Sequence, residues 1–303
     1  MIEPHPDFIK AGKIAGKVIR NVIPHVKPGE SVLKICELVE KQIITYGARP
    51  AFPCNVSINQ EAAHYSSPHG DTRVFPESGL VKVDIGAHVN GHLSDTAYTV
   101  DLDGSYHNYI TAARNALNAA IDAVKPGVKL GKIGSIIEQV IKSHDLRPIH
   151  QLSGHQMKPW SLHAGKNVPN IGSKFTSKLK MGETYAIEPF ATDGNGTIKA
   201  ASEAYIYSND MKNKKKTDRR SRRVRDAARK AFGTLPWASR WLHGKVKGVD
   251  VNAAINNLTH QGIVRAYPVL IEGQGGMVSQ FEHTVFVAEK KAIVTTRRSN
   301  EIV

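Results

Sequence analysis

The strongest constraint on how this chain can fold is a set of four acids embedded in apolar, strand-like runs. Asp84 lies in Leu80-Val81-Lys82-Val83-Asp84-Ile85-Gly86, Glu188 in Tyr185-Ala186-Ile187-Glu188-Pro189-Phe190, and Glu282 in Gln280-Phe281-Glu282-His283-Thr284-Val285. Asp95 sits on a run from Leu93 to Leu102, and the Asn90-Gly91 that separates this run from the Asp84 run is a strong hairpin signal. A carboxylate in such surroundings is costly unless a cation or hydrogen bonds compensate it. One such acid could cap a turn or pair with an arginine. Four on core strands, with no Lys or Arg beside Glu188 or Glu282, would repel one another and raise their pKa values. A pair of divalent cations at their centre removes that conflict. His155, in Leu152-Ser153-Gly154-His155-Gln156-Met157, would alone pass for a surface or core histidine. With the four acids it completes an oxygen-rich set with one imidazole, suited to Mn, Fe, Co or Zn. Five ligands for two ions would require bridging carboxylates.

The rest of the chain frames these runs. Apolar residues recur at helical spacing over residues 7–23 and 31–46, broken by Lys27-Pro28-Gly29, with Ser31 placed to cap the second helix. A second pair of helices fits 105–124 and 130–144, broken by Lys125-Pro126-Gly127. The echo suggests a helix–helix–strand unit used twice. Strands fit 184–192, 198–207, 264–271 and 278–288. Between them, residues 209–262 are basic and helix-prone. The expected organisation is a mixed α/β domain over residues 1–208 and 263–303, with 209–262 as a basic helical insertion.

Composition narrows the class. At 303 residues with 41% hydrophobic and 22% charged side chains, a sizeable core is within reach and global disorder is excluded. Two cysteines, Cys36 and Cys54, make neither a disulfide framework nor a zinc knuckle. No apolar run reaches the roughly 18 residues of a membrane span, and the first residues, MIEPHPDFIKAGKIAGKVIR, contain no signal-peptide core. A soluble, cytoplasmic protein without a membrane partner is expected. Of the 41 basic residues, 11 fall between Lys212 and Lys230, against Asp218 and Asp226 alone. That run could be a solvated helix face or a contact with ribosomal RNA or another polyanion. It contains no aromatic residue, so base stacking is not supported.

The order Asp84, Asp95, His155, Glu188, Glu282 resembles the metal set of the methionine aminopeptidase and prolidase superfamily, whose fold is called pita-bread. Further stretches resemble the type II methionine aminopeptidases: Phe52-Pro53 before Ser57-Ile58-Asn59, Ala63-His64-Tyr65, Leu162-His163-Ala164-Gly165-Lys166, Ala186-Ile187-Glu188-Pro189-Phe190-Ala191 and Gln280-Phe281-Glu282-His283-Thr284. Gly233-Thr234-Leu235-Pro236 and Arg240-Trp241-Leu242 resemble the insertion that sets type II apart. The short N-terminus is similar to that of archaeal members.

The resemblance implies a pseudo-symmetric curved antiparallel sheet flanked by helices. It implies two divalent cations, drawn from Co, Mn, Fe or Zn, and removal of the initiator methionine from a nascent protein when the second residue is small. Asp95 and Glu282 would bridge both ions, Asp84 would hold one, and His155 and Glu188 the other, with Glu188 also shuttling a proton. His64 and His163 would contact the scissile amide and the tetrahedral intermediate. Phe52, Leu152 and Tyr267 would line the methionine pocket. Family members act mainly as monomers. Gln156-Met157 and Lys158-Pro159-Trp160 depart from the usual pattern near the pocket rim, and Cys54 could approach the pocket or simply pack. An X-Pro dipeptidase or aminopeptidase of the same fold, and a non-catalytic ribosome- or RNA-binding relative, are the rival readings.

Overall fold

The computed structural model describes residues 2–174 and 176–297. Helix α1 (Pro6–Val22) begins with proline at its first turn, where the missing N–H costs nothing. Helix α2 (Val32–Thr45) is capped by Ser31, whose hydroxyl accepts from the Lys34 amide at 3.4 Å. Strands β1 (Arg49–Ile58), β2 (Glu61–Ala63), β3 (Leu80–Val89) and β4 (His92–Asp101) follow. Asn90 and Gly91 join β3 to β4 with φ of 49° and 85°, both left-handed, as a tight two-residue hairpin demands. β1 was not among the expected strands. Its Pro50 and Pro53 fall at register irregularities on the edge of the sheet β1-β3-β4, where proline is tolerated.

The second half repeats the plan. Helices α3 (His107–Asp122) and α4 (Leu130–Lys142) precede β5 (Arg147–Pro148), β6 (Ser153–Met157), β7 (Asn167–Pro169), β8 (Thr184–Ile187) and β9 (Phe190–Thr192). Long strand β10 (Ile198–Asn209) leads into α5 (Arg219–Phe232), β11 (Trp237–Ala238) and α6 (Val251–His260). The chain returns through β12 (Val264–Glu272) and then β13 (Val278–Gln280), β14 (His283–Val287) and β15 (Ala292–Val294). The sheets are antiparallel, in the orders β15-β14-β8-β6-β7, β13-β9-β5 and β11-β10-β12-β2.

Each half buries its own core. Val18, Ile19, Val39, Val56 and Val83 join α1 and α2 to β1 and β3. Leu117, Ile133, Ile137, Tyr185 and Val285 join α3 and α4 to β8 and β14. A third cluster, with Val224, Trp237, Ile255 and Leu258, packs α5 and α6 against β11 and the start of β12. Glycine lets α1 lie directly on the segment after β15. A Cβ on Gly12 would meet the Thr295 side chain at 2.4 Å, and one on Gly16 the Thr296 carbonyl at 2.7 Å.

Two runs expected as single strands are each broken. Residues 184–192 divide into β8 and β9 at Glu188-Pro189, and residues 278–288 divide into β13 and β14 at Phe281-Glu282. The breaks face each other: His283 pairs with Ile187 on one side and Gln280 with Phe190 on the other. Pro189 has no amide to donate to a ladder, and each break lets the chain pass from one sheet to another.

Candidate metal centre

Asp84 and Asp95 come from the middle of the β3–β4 hairpin, where Asp84 is opposite Ala97 and Asp95 opposite Gly86. Their side chains share one face of the pair, as period-two alternation requires. His155 lies on β6, paired with Ala186 of β8. Glu188 and Glu282 occupy the two opposed strand breaks. All five line one cavity of about 270 Å³. Asp95, His155 and Glu282 are buried, and one ligand atom from each lies within 4.8 Å of the others. His155 Nε2 is 3.4 Å from Asp95 Oδ2 and 3.7 Å from Glu188 Oε1. Gln280 Nε2 approaches Glu188 Oε2 at 3.5 Å.

The electrostatics of the bare cluster are unfavourable. Burial, then the neighbouring carboxylates, push Asp84, Glu188 and Glu282 well above the usual carboxylate range. Burial raises Asp95 to about 7. Burial lowers His155 to about 4, which leaves a neutral imidazole at pH 7. Asp84 Oδ1, Asp95 Oδ1 and both Glu282 carboxylate oxygens are buried without a hydrogen-bond partner. Buried acceptors are normally satisfied, and here four oxygens on three acids are not. A donor set of carboxylate oxygens and one imidazole nitrogen, unpartnered and converging, fits hard or borderline divalent cations and relieves the mutual repulsion.

The same cavity is lined by His64, His163, Phe52, Leu152 and Tyr267, so the structure brings every expected site residue to one place. His163 is tilted against His155, ring centres 4.3 Å apart. His64 has positive φ (71°), its Nδ1 lies 3.3 Å from the Pro268 carbonyl, and its ring meets Tyr267 edge-on at 5.8 Å. Burial lowers His64 to about 4. His163 faces the open cavity, yet the protein around it, then His155 and Arg265, hold it below its ordinary value. Phe52 lies over Gly86, where an added Cβ would come within 2.2 Å of the Phe52 ring. Cys54 is a core residue of the first half. It is its neighbour Asn55 that faces the cavity.

Sequence reasoning missed other wall residues: Asn55, Gln151, Ser153, Asn167, Ile206 and Pro236. Pro236 follows the Thr234-Leu235 stretch read as insertion, and that context could have placed it here. It also missed Thr96, Thr99 and Thr284, whose hydroxyls bond the backbone around the acids. Threonine in a strand is too ordinary to signal such a role.

Comparison with known proteins places this geometry. Residues 7–289 match the model of metallopeptidase family M24. The chain is 42% identical over 299 residues to the methionine aminopeptidase of Methanothermobacter thermautotrophicus, covering 98% of this chain and 100% of that one. It is 44% identical over 291 residues to that of Saccharolobus solfataricus, covering 96% and 97%. Among solved structures, a thermophilic Arx1 superposes with a TM-score of 0.82 at 18% identity, covering 95% of this chain and 89% of that one. Methionine aminopeptidase from Thermotoga maritima gives 0.71 at 21%, covering 98% and 99%. These two likenesses are of fold, the pita-bread arrangement.

Proposed function

The chain belongs to metallopeptidase family M24, a metal-dependent exopeptidase that removes N-terminal methionine from proteins, and we propose that it does so with two divalent cations held by Asp84, Asp95, His155, Glu188 and Glu282. The observation that supports this reading is the convergence of four carboxylates and one imidazole on a single cavity, with four carboxylate oxygens left without partners. Asp95 and Glu282 would be the acids shared by the two cations: both are buried, their ligand atoms lie within 4.8 Å of that of His155, and Asp84 is near enough to raise Glu282.

Cations bound there supply Lewis acidity, which polarises a carbonyl and lowers the pKa of water. The chain's own residues do the rest. Glu188, at the cavity wall with Gln280 on its outer oxygen, takes a proton from the attacking water and returns it to the leaving amine. His64 and His163 are neutral at pH 7: the Nδ1–H of His64 is engaged by the Pro268 carbonyl, so its Nε2 accepts from the scissile amide N–H, while His163 donates to the oxyanion that develops. Phe52, Leu152 and Tyr267 form the apolar wall for the methionine side chain, with Tyr267 steadied by the Ser208 hydroxyl at 3.2 Å. The wall discriminates at about 1–3 kcal/mol per methylene-scale difference. A small second residue suits a cavity whose lining also includes His64, His163 and Pro236.

The test is hydrolysis of Met-Ala-Ser by metal-stripped protein, then with Mn, Fe, Co and Zn added singly. Restoration by at least one metal is expected. Release of proline from X-Pro peptides, with no methionine from Met-Ala-Ser, would move the assignment to the dipeptidase reading.

A second reading concerns the basic segment. Helix α5 buries Ser221, Val224 and Ala228 and exposes Arg219, Arg220, Arg222 and Arg223. With exposed Lys212, Lys214 and Lys216, this makes a cationic face suited to ribosomal RNA near an emerging chain. The nascent substrate fits a cytoplasmic, monomeric enzyme. No helix among the described residues is long and apolar enough to cross a membrane.

A further inference from the structure

The seam where the two halves meet is built from threonine hydroxyls. Asp95 presents its backbone N–H and C=O away from β3, and the Thr284 hydroxyl takes both. It accepts from the Asp95 amide at 2.7 Å and donates to the Asp95 carbonyl at 2.7 Å. Farther along, the arrangement is reversed. The Thr99 hydroxyl of β4 accepts from the Gln280 amide at 2.8 Å and donates to the Gln280 carbonyl at 2.6 Å. Between them, the Thr96 hydroxyl donates to the Glu282 carbonyl at 2.8 Å, and the Glu282 amide donates to the Ala97 carbonyl at 3.1 Å.

An ordinary ladder would join β4 directly to residues 280–284 at a strand separation of about 4.8 Å. On either side of the direct Glu282–Ala97 bond, a hydroxyl inserted between the backbones satisfies the same donors and acceptors while spacing them farther apart than a direct rung would. The backbones of Asp95 and Glu282 are thereby fixed from both sides: Thr284 holds Asp95 from two residues beyond Glu282, and Thr99 holds Gln280 from four residues beyond Asp95. Thr96 and Thr284 are fully buried and Thr99 nearly so. Thr284 is itself fixed, since its amide donates to the Thr296 hydroxyl at 3.0 Å and its carbonyl accepts from the Thr295 amide at 3.0 Å.

We propose that Thr284 and Thr99 are positioning residues for the metal centre: their hydroxyls act as spacers that set the distance between the Asp95 and Glu282 backbones and so the opening into which the two bridging carboxylates reach. This rests on the assignment of Asp95 and Glu282 as ligands. A spacer role predicts an effect on metal binding larger than its effect on peptide binding, because neither threonine lines the cavity.

The experiment is Co(II) titration of metal-stripped protein, followed by calorimetry and by d–d absorption. Thr284→Val, which keeps the shape and removes the hydroxyl, is expected to weaken Co(II) binding by about 10–100-fold, the usual cost of losing a group that orients a ligand, and to change the absorption envelope. Thr284→Ser, which keeps the hydroxyl, is expected to stay within about threefold of the parent. KM for Met-Ala-Ser is expected to change much less than kcat. If Thr284→Val does not fold, Thr99→Val makes the same test from the Gln280 side. Co(II) affinity and spectrum unchanged in a valine variant overturn the spacer role, as does equal loss in valine and serine variants. Parent protein that binds no Co(II) overturns the ligand assignment and this proposal with it. Parent binding with unaffected variants overturns this proposal alone.

Discussion

Arg240, in the turn after β11, forms a buried ion pair with Glu40 of α2, joining the α5–α6 segment to the first half of the molecule. The guanidinium also donates to the Ser66 hydroxyl at 2.7 Å and the Ser67 carbonyl at 2.9 Å. Glu40 in turn accepts from the Trp241 indole at 2.8 Å and the Cys54 amide at 3.2 Å. Cys54 precedes cavity-lining Asn55, so the brace reaches the substrate wall. Arg240→Ala would leave Glu40 buried and uncompensated, at a cost of about 3–5 kcal/mol. Urea unfolding is the measurement. The double variant Glu40→Gln/Arg240→Met should lose much less than the sum of the single changes.

Metal-free protein should lose stability as pH rises above about 6.5. Asp84, Glu188 and Glu282 are held well above their ordinary range and Asp95 at about 7. In this window the folded state therefore binds more protons than the unfolded chain, and ΔG of unfolding falls with pH. Below pH 6.5 the slope should flatten. There His64 and His155, lowered to about 4, bind fewer protons folded than unfolded and act in the opposite direction. Saturating Mn should abolish the alkaline loss, because the cations keep the carboxylates ionised at no electrostatic penalty. Melting temperatures from pH 5 to 8.5, with and without Mn, decide it. A metal-free protein that grows more stable from pH 6.5 to 8.5 would contradict the electrostatic account.

Asp95→Asn removes one charge of the cluster at constant shape. The variant should fold, and its metal-free form should resist heat at pH 8 at least as well as the parent, since one like-charge repulsion is gone. Its metal content by atomic absorption should drop, and Met-Ala-Ser turnover should fall by at least about 10²-fold. Full activity would remove Asp95 from the bridging role.

His163→Ala should lower kcat by about 10²–10³-fold, the scale for loss of one donor to a developing oxyanion, and His64→Ala by about tenfold, the scale for loss of one neutral hydrogen bond to the scissile amide. Bound metal should be unchanged in both. Loss of metal instead would mean that these imidazoles act as ligands.

Reversing Lys214, Lys216, Arg219, Arg220 and Arg222 to glutamate should weaken ribosome association and flatten its salt dependence, by about 0.7–0.9 in log–log slope for each phosphate no longer neutralised. Cleavage of free Met-Ala-Ser should be unaffected. Lys215 and Arg223 are left in place because they bond the Gln261 and Lys247 carbonyls within the fold.

The hairpin carrying Asp84 and Asp95 was legible because Asn90-Gly91 is a local signal and the flanking alternation is regular. The helix pairs were legible from their Pro-Gly punctuation. β1 was not, because Pro50 and Pro53 argue against a strand until the edge position and register shifts that accommodate them are known. The breaks at 188–189 and 281–282 were hidden for another reason. They depend on two distant segments failing to pair at the same point, a non-local fact, and only Pro189 carries a local hint. The candidate site residues could be read because acids in apolar runs are expensive. Their hydroxyl supports could not, since a threonine in a strand looks the same whether or not it bonds a neighbouring backbone.

The facing interruptions at Glu188-Pro189 and Phe281-Glu282 bear on anyone who would transplant this chemistry. Copying the five side chains onto an uninterrupted hairpin would zip the two strands shut, and with side chains alternating at every residue the glutamates would be carried along the ladder instead of into a hollow. What must be grafted is the pair of missing rungs, and the acids only come second.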